Sequence, residues 1–362
     1  MTSIITPTFV SDLKTRVQDI ANEDYQRLKQ DIWWNKIATT LNSTTKKERL
    51  TWLLSTGLLE EVAHDGGEVA YDTLLRASTE FENRFVRKGL KVKFEEFEDL
   101  DGGAVMLSGG RVAGRAGFDA ISKWTRDIAA HAAYWPQQKL AEAIIANPVA
   151  YDAKAFFATD HPVNPLDASF GAFANDFTGA ASGAYPGALP IHETGAGSVT
   201  AEVALQNLAK AIAYIRGFIK MPNGVLLRKL RVTGIMVPPE LAARATLLTS
   251  AKFIAQSAAS GALSGDIQAV VSYLNLGVPI IADELGAAMG GSATTYYLIV
   301  QELSSPQMGA FIYSNREPIT ITYVGPETDA ELARARELQW IAQGRNTVAP
   351  GHPFQLFRCR GA

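Results

Sequence analysis

The residues best suited to chemistry are Asp160 and His161, adjacent in the run Tyr151-Asp-Ala-Lys-Ala-Phe-Phe-Ala-Thr-Asp-His-Pro-Val-Asn-Pro165. A carboxylate that orients an imidazole can act as an acid/base pair near neutral pH. Neighbouring side chains of an extended segment point to opposite faces, however, and no nucleophile with recognisable flanks accompanies the pair. The structural reading is the stronger: Phe156 and Phe157 anchor the segment, and its polar tip closes a turn before Pro162. His64, His131, His192 and His352 stand far apart, without metal-ligand spacing. Glu95, Glu96, Glu98 and Asp99 would suit a hard cation, but four carboxylates on a solvated turn read first as hydrated surface. The single cysteine, Cys359, excludes an internal disulfide and any multi-cysteine metal site. The chain holds no GxxxxGK[ST] loop, GxSxG elbow or HExxH pair, and residues 286–291 have the wrong spacing for a dinucleotide fingerprint. No catalytic, cofactor-binding or metal residues are expected, and the chain does not read as an enzyme.

The elements around these residues are more informative. Residues 114–147 carry Ile121, Trp124, Ile128, Leu140 and Ile144 among many alanines, which is helical spacing with high helix propensity. Asp119 is the expected N-cap and Asn147-Pro148 the stop, while Pro136 predicts a kink or two helices end to end. A continuous rod there would be roughly 45 Å long. It would suit a subunit that touches several neighbours, or equally the core helix of an ordinary α+β domain.

The chain has 362 residues, 47% hydrophobic and 20% charged, which predicts a globular protein of two or three compact units. Its formal charge is −3 with scattered basic residues, which argues against strong electrostatic binding of nucleic acid. Neither a charged leader before an apolar run nor a stretch of membrane-spanning length occurs, so a soluble chain of cytoplasmic origin is expected.

The first sixty residues predict an amphipathic helix over 11–28, with Leu13, Val17, Ile20 and Ala21 on one face. Trp33, Trp34 and Trp52 add apolar area that must pack on another part of the chain or on a second copy. Leu90, Val92 and Phe94 alternate with Lys91, Lys93 and Glu95, the period of a strand with one wet face. Residues 58–101 therefore predict a charged two-stranded ribbon, marginal in isolation, that projects over an adjacent subunit. Further on, residues 168–197 read as a surface loop pinned by Phe170, Phe173, Phe177 and Tyr185. A helix capped by Thr200 follows, then a strand over 230–237, a helix led by Pro238-Pro239, and buried strands at 278–282 and 296–300. Residues 318–324 alternate as a strand, and 328–338 form a short helix or a solvated turn.

Tyr151-Asp-x-x-x-Phe-Phe-x-Thr-x-His-Pro162 resembles a recurring segment of the Mu-like major head subunits of tailed bacteriophages. Glu80-Phe81-Glu82, the acidic run from Glu95, the long helix, Val232 to Ala245 with its paired proline, and Gly344-Arg345-Asn346 to Pro353-Phe-Gln-Leu356 follow in the order of that family. The resemblance covers about residues 52–358, with the Gly/Ala-rich insert 168–198 and Pro136 as departures.

The resemblance implies an α+β chain of Hong Kong-97-type capsid fold. It implies an N-terminal arm over 1–57, an extended E-loop over 58–98 and an axial domain over 225–347. The peripheral domain would span 99–224, with a spine helix at about 114–147 and the C-terminal strands at about 348–362. It implies a major capsid protein that self-assembles as hexamers and pentamers into an icosahedral head around double-stranded DNA, without reading its sequence. Portal, scaffold and decoration proteins are the further partners it allows; no cofactor and no membrane are implied. The site is the virion, assembled in the host bacterial cytoplasm. Trp33, Trp34 and Trp52 are the chief interface residues expected, with Phe81, Arg84, Phe85, Arg87, Lys88, Phe94, Trp124 and Trp135. On this reading, removal of residues 62–96 leaves a folded monomer that forms no closed shells. An encapsulin-like compartment shares the implied fold, and a soluble α+β enzyme using Asp160 and His161 is the remaining alternative.

Overall fold

Helix α1 (Pro7–Leu28) begins earlier than its apolar pattern, with proline tolerated in the first turn, where its missing N–H costs nothing. Its Val10, Leu13 and Val17 are buried with Ile121, Leu338 and Trp340. Four strands follow: β1 (Ala38–Asn42), β2 (Lys47–Leu53), β3 (Arg76–Glu82) and β4 (Arg84–Lys93). The long helix α2 (Ala116–Ala146) and helix α3 (Ala201–Gly217) come next. Beyond them lie β5 (Leu230–Val237), α4 (Ala242–Ser250), β6 (Tyr296–Glu302), β7 (Phe311–Tyr323), α5 (Asp329–Ala335), β8 (Glu337–Pro350) and β9 (Leu356–Cys359). The computed structural model describes residues 7–28, 32–53, 76–95, 106–107, 111–112, 116–193, 195, 197–224, 226–250, 276–303 and 308–360.

Helix α2 runs through Pro136 as one element, so of the two expected outcomes, a kink or two helices end to end, the second does not occur. Ala129 and Ala133 before the proline, and Leu140, Ala141 and Ile144 after it, are all buried. Both halves are thus tied to the body, which offsets the hydrogen bond that proline removes. The helix starts at Ala116, so Asp119 lies inside its first turn and is not the N-cap. It stops as expected: Asn147 takes φ 52°, the left-handed conformation that ends helices.

One sheet has the order β1-β7-β8-β4. β1 runs parallel to β7, and β8 lies antiparallel to both β7 and β4. β8 alternates buried and wetter residues, and its Leu338 and Trp340 sit under α1. β2 and β3 pair with each other as a separate two-stranded ribbon, Lys47–Leu53 against Arg76–Glu82. The ribbon's first strand thus lies before residue 58, where the extended loop was expected to begin. β4, expected within that loop, is a full member of the sheet.

The second sheet has five strands: Ile280–Ile281, β5, β6, β9 and Asp176–Phe177. Tyr296, Leu298 and Val300 pack with Leu205, Leu208, Ile212 and Ile215 of α3. Tyr297 and Ile299 face Leu140, Ile144, Phe156 and Phe157 instead. A strand buried on both faces has no wet side, which is why residues 296–300 read as an unbroken apolar run. Residues 168–197, expected as a surface loop, supply the fifth strand of this sheet; their aromatics do pin them, with Phe177 fully buried.

Candidate subunit interface

Asp160 and His161 do not form a pair. Asp160 is exposed and meets Lys154 at 2.5 Å. His161 is fully buried, its Nδ1 2.5 Å from Asp152 Oδ2 and its Nε2 3.1 Å from the Phe156 carbonyl, while its ring stacks on Phe173. Asp152, nine residues earlier, is the carboxylate that sequence reasoning missed. Both ring nitrogens are spent on acceptors. The arrangement is a fastener.

Its surroundings have the same character. Asn147 accepts from the Phe157 N–H at 2.6 Å and donates to the Phe157 carbonyl at 3.0 Å, fixing the chain after α2. Asn175 donates to the carbonyls of Phe156 (2.7 Å) and Pro353 (2.9 Å) and accepts from the Ala158 N–H at 2.9 Å. Arg358 grips Asp176 with two bonds, at 2.9 and 2.7 Å. Cys359 is fully buried, and burial pushes its thiol well above the ordinary value, so it is no nucleophile. Burial, with Arg228 nearby, pushes His352 down to about 3 and keeps it neutral. Among the described residues, no group of three or more His, Cys, Asp or Glu is placed to hold a metal ion. Also among them, no helix is long and apolar enough to cross a membrane.

The surface offers a different kind of site. β4 is the outer strand of its sheet, and α2 passes beside it. Between them lies a groove of about 1110 Å³ whose lining includes Phe81, Arg84, Phe85, Arg87, Lys88, Trp124 and Trp135. All seven were expected at an interface, and they come from β3, β4 and α2. Phe85 is 62% exposed, with the Arg345 guanidinium 3.7 Å above its ring. Trp135 is held by its indole N–H, which donates to Asn346 Oδ1 at 2.7 Å. Ile128, Ala132, Ala342 and Val348 supply apolar floor. Aromatics over such a floor, with cations beside them, are suited to burying a neighbouring chain.

The other expected contacts divide. Trp33 is 5% exposed, its indole N–H 3.3 Å from Glu284, and Phe94 is 6% exposed beneath α1. Both are spent inside the chain and keep almost no area for a second copy. Trp34 is partly buried against Tyr313. Trp52 lies on β2 opposite Ala77, with its side chain outside the described residues. Most of the acidic run after Glu95, and the turn at His64, also lie outside them.

Residues 11–185 match the family described as Mu-like prophage major head subunit gpT. Among solved structures, the capsid of cyanophage P-SCSP1u is similar at TM-score 0.51 and 11% identity, over 91% of this chain and 88% of that one. The bacteriophage JBD30 capsid is similar at TM-score 0.42 and 11% identity, over 91% of this chain and 64% of that one. The chain therefore spans less than two thirds of that capsid chain. A virus-like particle from Pyrococcus furiosus is similar at TM-score 0.43 and 9% identity, over 97% and 98%. No curated protein sequence matches significantly. Just under half of the chain, residues 11–185, thus matches the Mu-like major head subunit model, and its mixed α+β fold is similar to that of the P-SCSP1u capsid chain.

Proposed function

We propose that this chain, similar to Mu-like major head subunits and of capsid fold, is the major capsid protein of a tailed bacteriophage or prophage. Copies associate as hexamers and pentamers into an icosahedral head around double-stranded DNA, assembled in the bacterial cytoplasm and carried in the virion. The observation that carries this is the family match over residues 11–185, a span that contains the ribbon, β4 and α2, and so two of the groove's walls.

In this reading the β2–β3 ribbon is the extended loop, and α2 is the spine helix. The four-stranded sheet with α1 and α2 forms the peripheral unit. The five-stranded sheet with α3 and α4 forms the axial unit. The boundary expected at residue 225 would then move before α3, because α3 packs on β5 and β6. The ribbon of one copy lies over the next, whose groove takes apolar side chains. Such obligate contacts bury on the order of thousands of Å² across a subunit. DNA is enclosed without sequence readout, in keeping with the net charge of −3.

The test is to replace residues 54–75, which join β2 to β3, by a tight turn. The larger deletion of residues 62–96 would also remove β4, which pairs with β8 from Lys93–Glu337 to Arg84–Asn346. The expected result is a folded subunit that sediments as a monomer or capsomer, while the full chain forms shells. Shells from the shortened chain would overturn the loop assignment, and a full chain that stays monomeric would overturn the capsid reading.

A further inference from the structure

The chain crosses from the four-stranded sheet into the ribbon twice, between β1 and β2 and between β3 and β4, and both crossings meet at one polar cluster. Ser43 and Asn83 are buried there, 7% and 5% exposed. Asn83 Nδ2 donates to Ser43 Oγ at 2.7 Å and to the Thr45 carbonyl at 3.0 Å, and its N–H donates to the Lys46 carbonyl at 2.9 Å. Ser43 passes the link on, donating from Oγ to Glu48 Oε1 at 2.5 Å. The same carboxylate oxygen accepts from Thr45 Oγ1 at 2.8 Å and from the Thr45 N–H at 3.2 Å. The Ser43 N–H reaches the Asn315 carbonyl at 3.2 Å, which ties the cluster to β7. Outside it, Lys46 pairs with Glu82 at 2.9 Å.

A two-stranded ribbon has little stability of its own, so its direction is set where it leaves the body. Among the described residues the ribbon also has a small apolar footing, Leu50 and Ala77 with Leu41, Ile312 and Met308. Apolar contact is non-directional, whereas hydrogen bonds weaken steeply with angle. We propose that Ser43, Thr45, Glu48 and Asn83 are positioning residues that fix the angle between ribbon and sheet, and so the register in which one copy's ribbon meets the next. The assembly consequence rests on the capsid reading; the angle does not.

The test uses spin labels at Ser78→Cys on β3 and Lys123→Cys on α2, both exposed sites, with buried Cys359 left unlabelled. Double electron–electron resonance on unassembled subunits should give one narrow distance peak. Asn83→Ala and Glu48→Ala should each lose that peak, while the melting temperature falls by no more than about 3 °C. Shell yield of the same unlabelled variants should fall at least tenfold. A narrow peak kept in both variants, but lost in Leu50→Ala, would assign the angle to the apolar footing and overturn the proposal. A broad peak with normal shells would overturn the role in register. If the parent chain makes no shells, the capsid reading fails, and the distance distributions still decide the hinge.

Discussion

Asn175→Ala removes the side chain that joins three stretches of backbone. Asn175 is fully buried, and its amide reaches the Phe156 and Pro353 carbonyls at 2.7 and 2.9 Å while accepting from the Ala158 N–H at 2.9 Å. The backbone bonds at this position, Asn175 N–H to the Ala158 carbonyl and Arg358 N–H to the Asn175 carbonyl, survive the change. Three well-formed bonds at about 1 kcal/mol each put the loss near ~3 kcal/mol. Carbonyls left dry and unpaired push it toward ~5 kcal/mol. Urea unfolding of the unassembled subunit, followed by tryptophan fluorescence, should show a lower midpoint with an unchanged slope. A loss under ~1 kcal/mol would mean that these bonds are replaced without cost, and the reading of residues 151–165 as a fastener would fail.

Three further outcomes are expected. Asp160→Asn should change stability by less than about 1 kcal/mol, because its partner Lys154 is exposed, whereas Asp152→Asn should cost about 3 kcal/mol by stripping buried His161 of its carboxylate; thermal melts compare the two. Phe85→Ala combined with Trp135→Ala should leave the subunit folded, since both side chains line an open groove, yet abolish large particles in sedimentation velocity. Hydrogen bonds from Ser43, then Thr45, hold Glu48 below the ordinary carboxylate value. A lowered folded value adds stability above the unfolded value and loses it as pH falls through the folded one. The ribbon-to-helix distance should therefore broaden as pH falls below the ordinary carboxylate range in the parent chain, and Glu48→Gln should abolish that transition.

Local features of the fold were legible where residues act on their neighbours. Thr200 caps α3, accepting from the Val203 N–H, and Asn147-Pro148 ends α2, both as spacing implied. The unbroken apolar run at Tyr296 marked a strand with two buried faces. The partnerships were not legible. β1 pairs in parallel with β7, some 270 residues away, and no local period encodes that choice. β8 was not read from its period, because Gly344 and polar Gln343, Arg345 and Asn346 interrupt its apolar residues, although Leu338-x-Trp340-x-Ala342 carried the period of two; only the family resemblance pointed to strands near Gly344. The histidine's partner was missed for a related reason. Only the adjacent carboxylate was weighed in sequence, and rightly discounted, whereas the turn at Ala153, with φ 62°, belongs to the loop that carries Asp152 to the ring and leaves Asp160 in solvent. Seven of the groove's residues could be named but not assembled, since Phe85 and Trp135 line one groove only once β4 has paired with β8.

Electron cryomicroscopy of the purified full-length chain tests the central claim most directly. Closed icosahedral shells are expected, with the ribbon of each copy lying over its neighbour and Phe85 and Trp135 covered at that contact. Dispersed single subunits under assembly conditions, with the β4–α2 groove open to solvent, would contradict it.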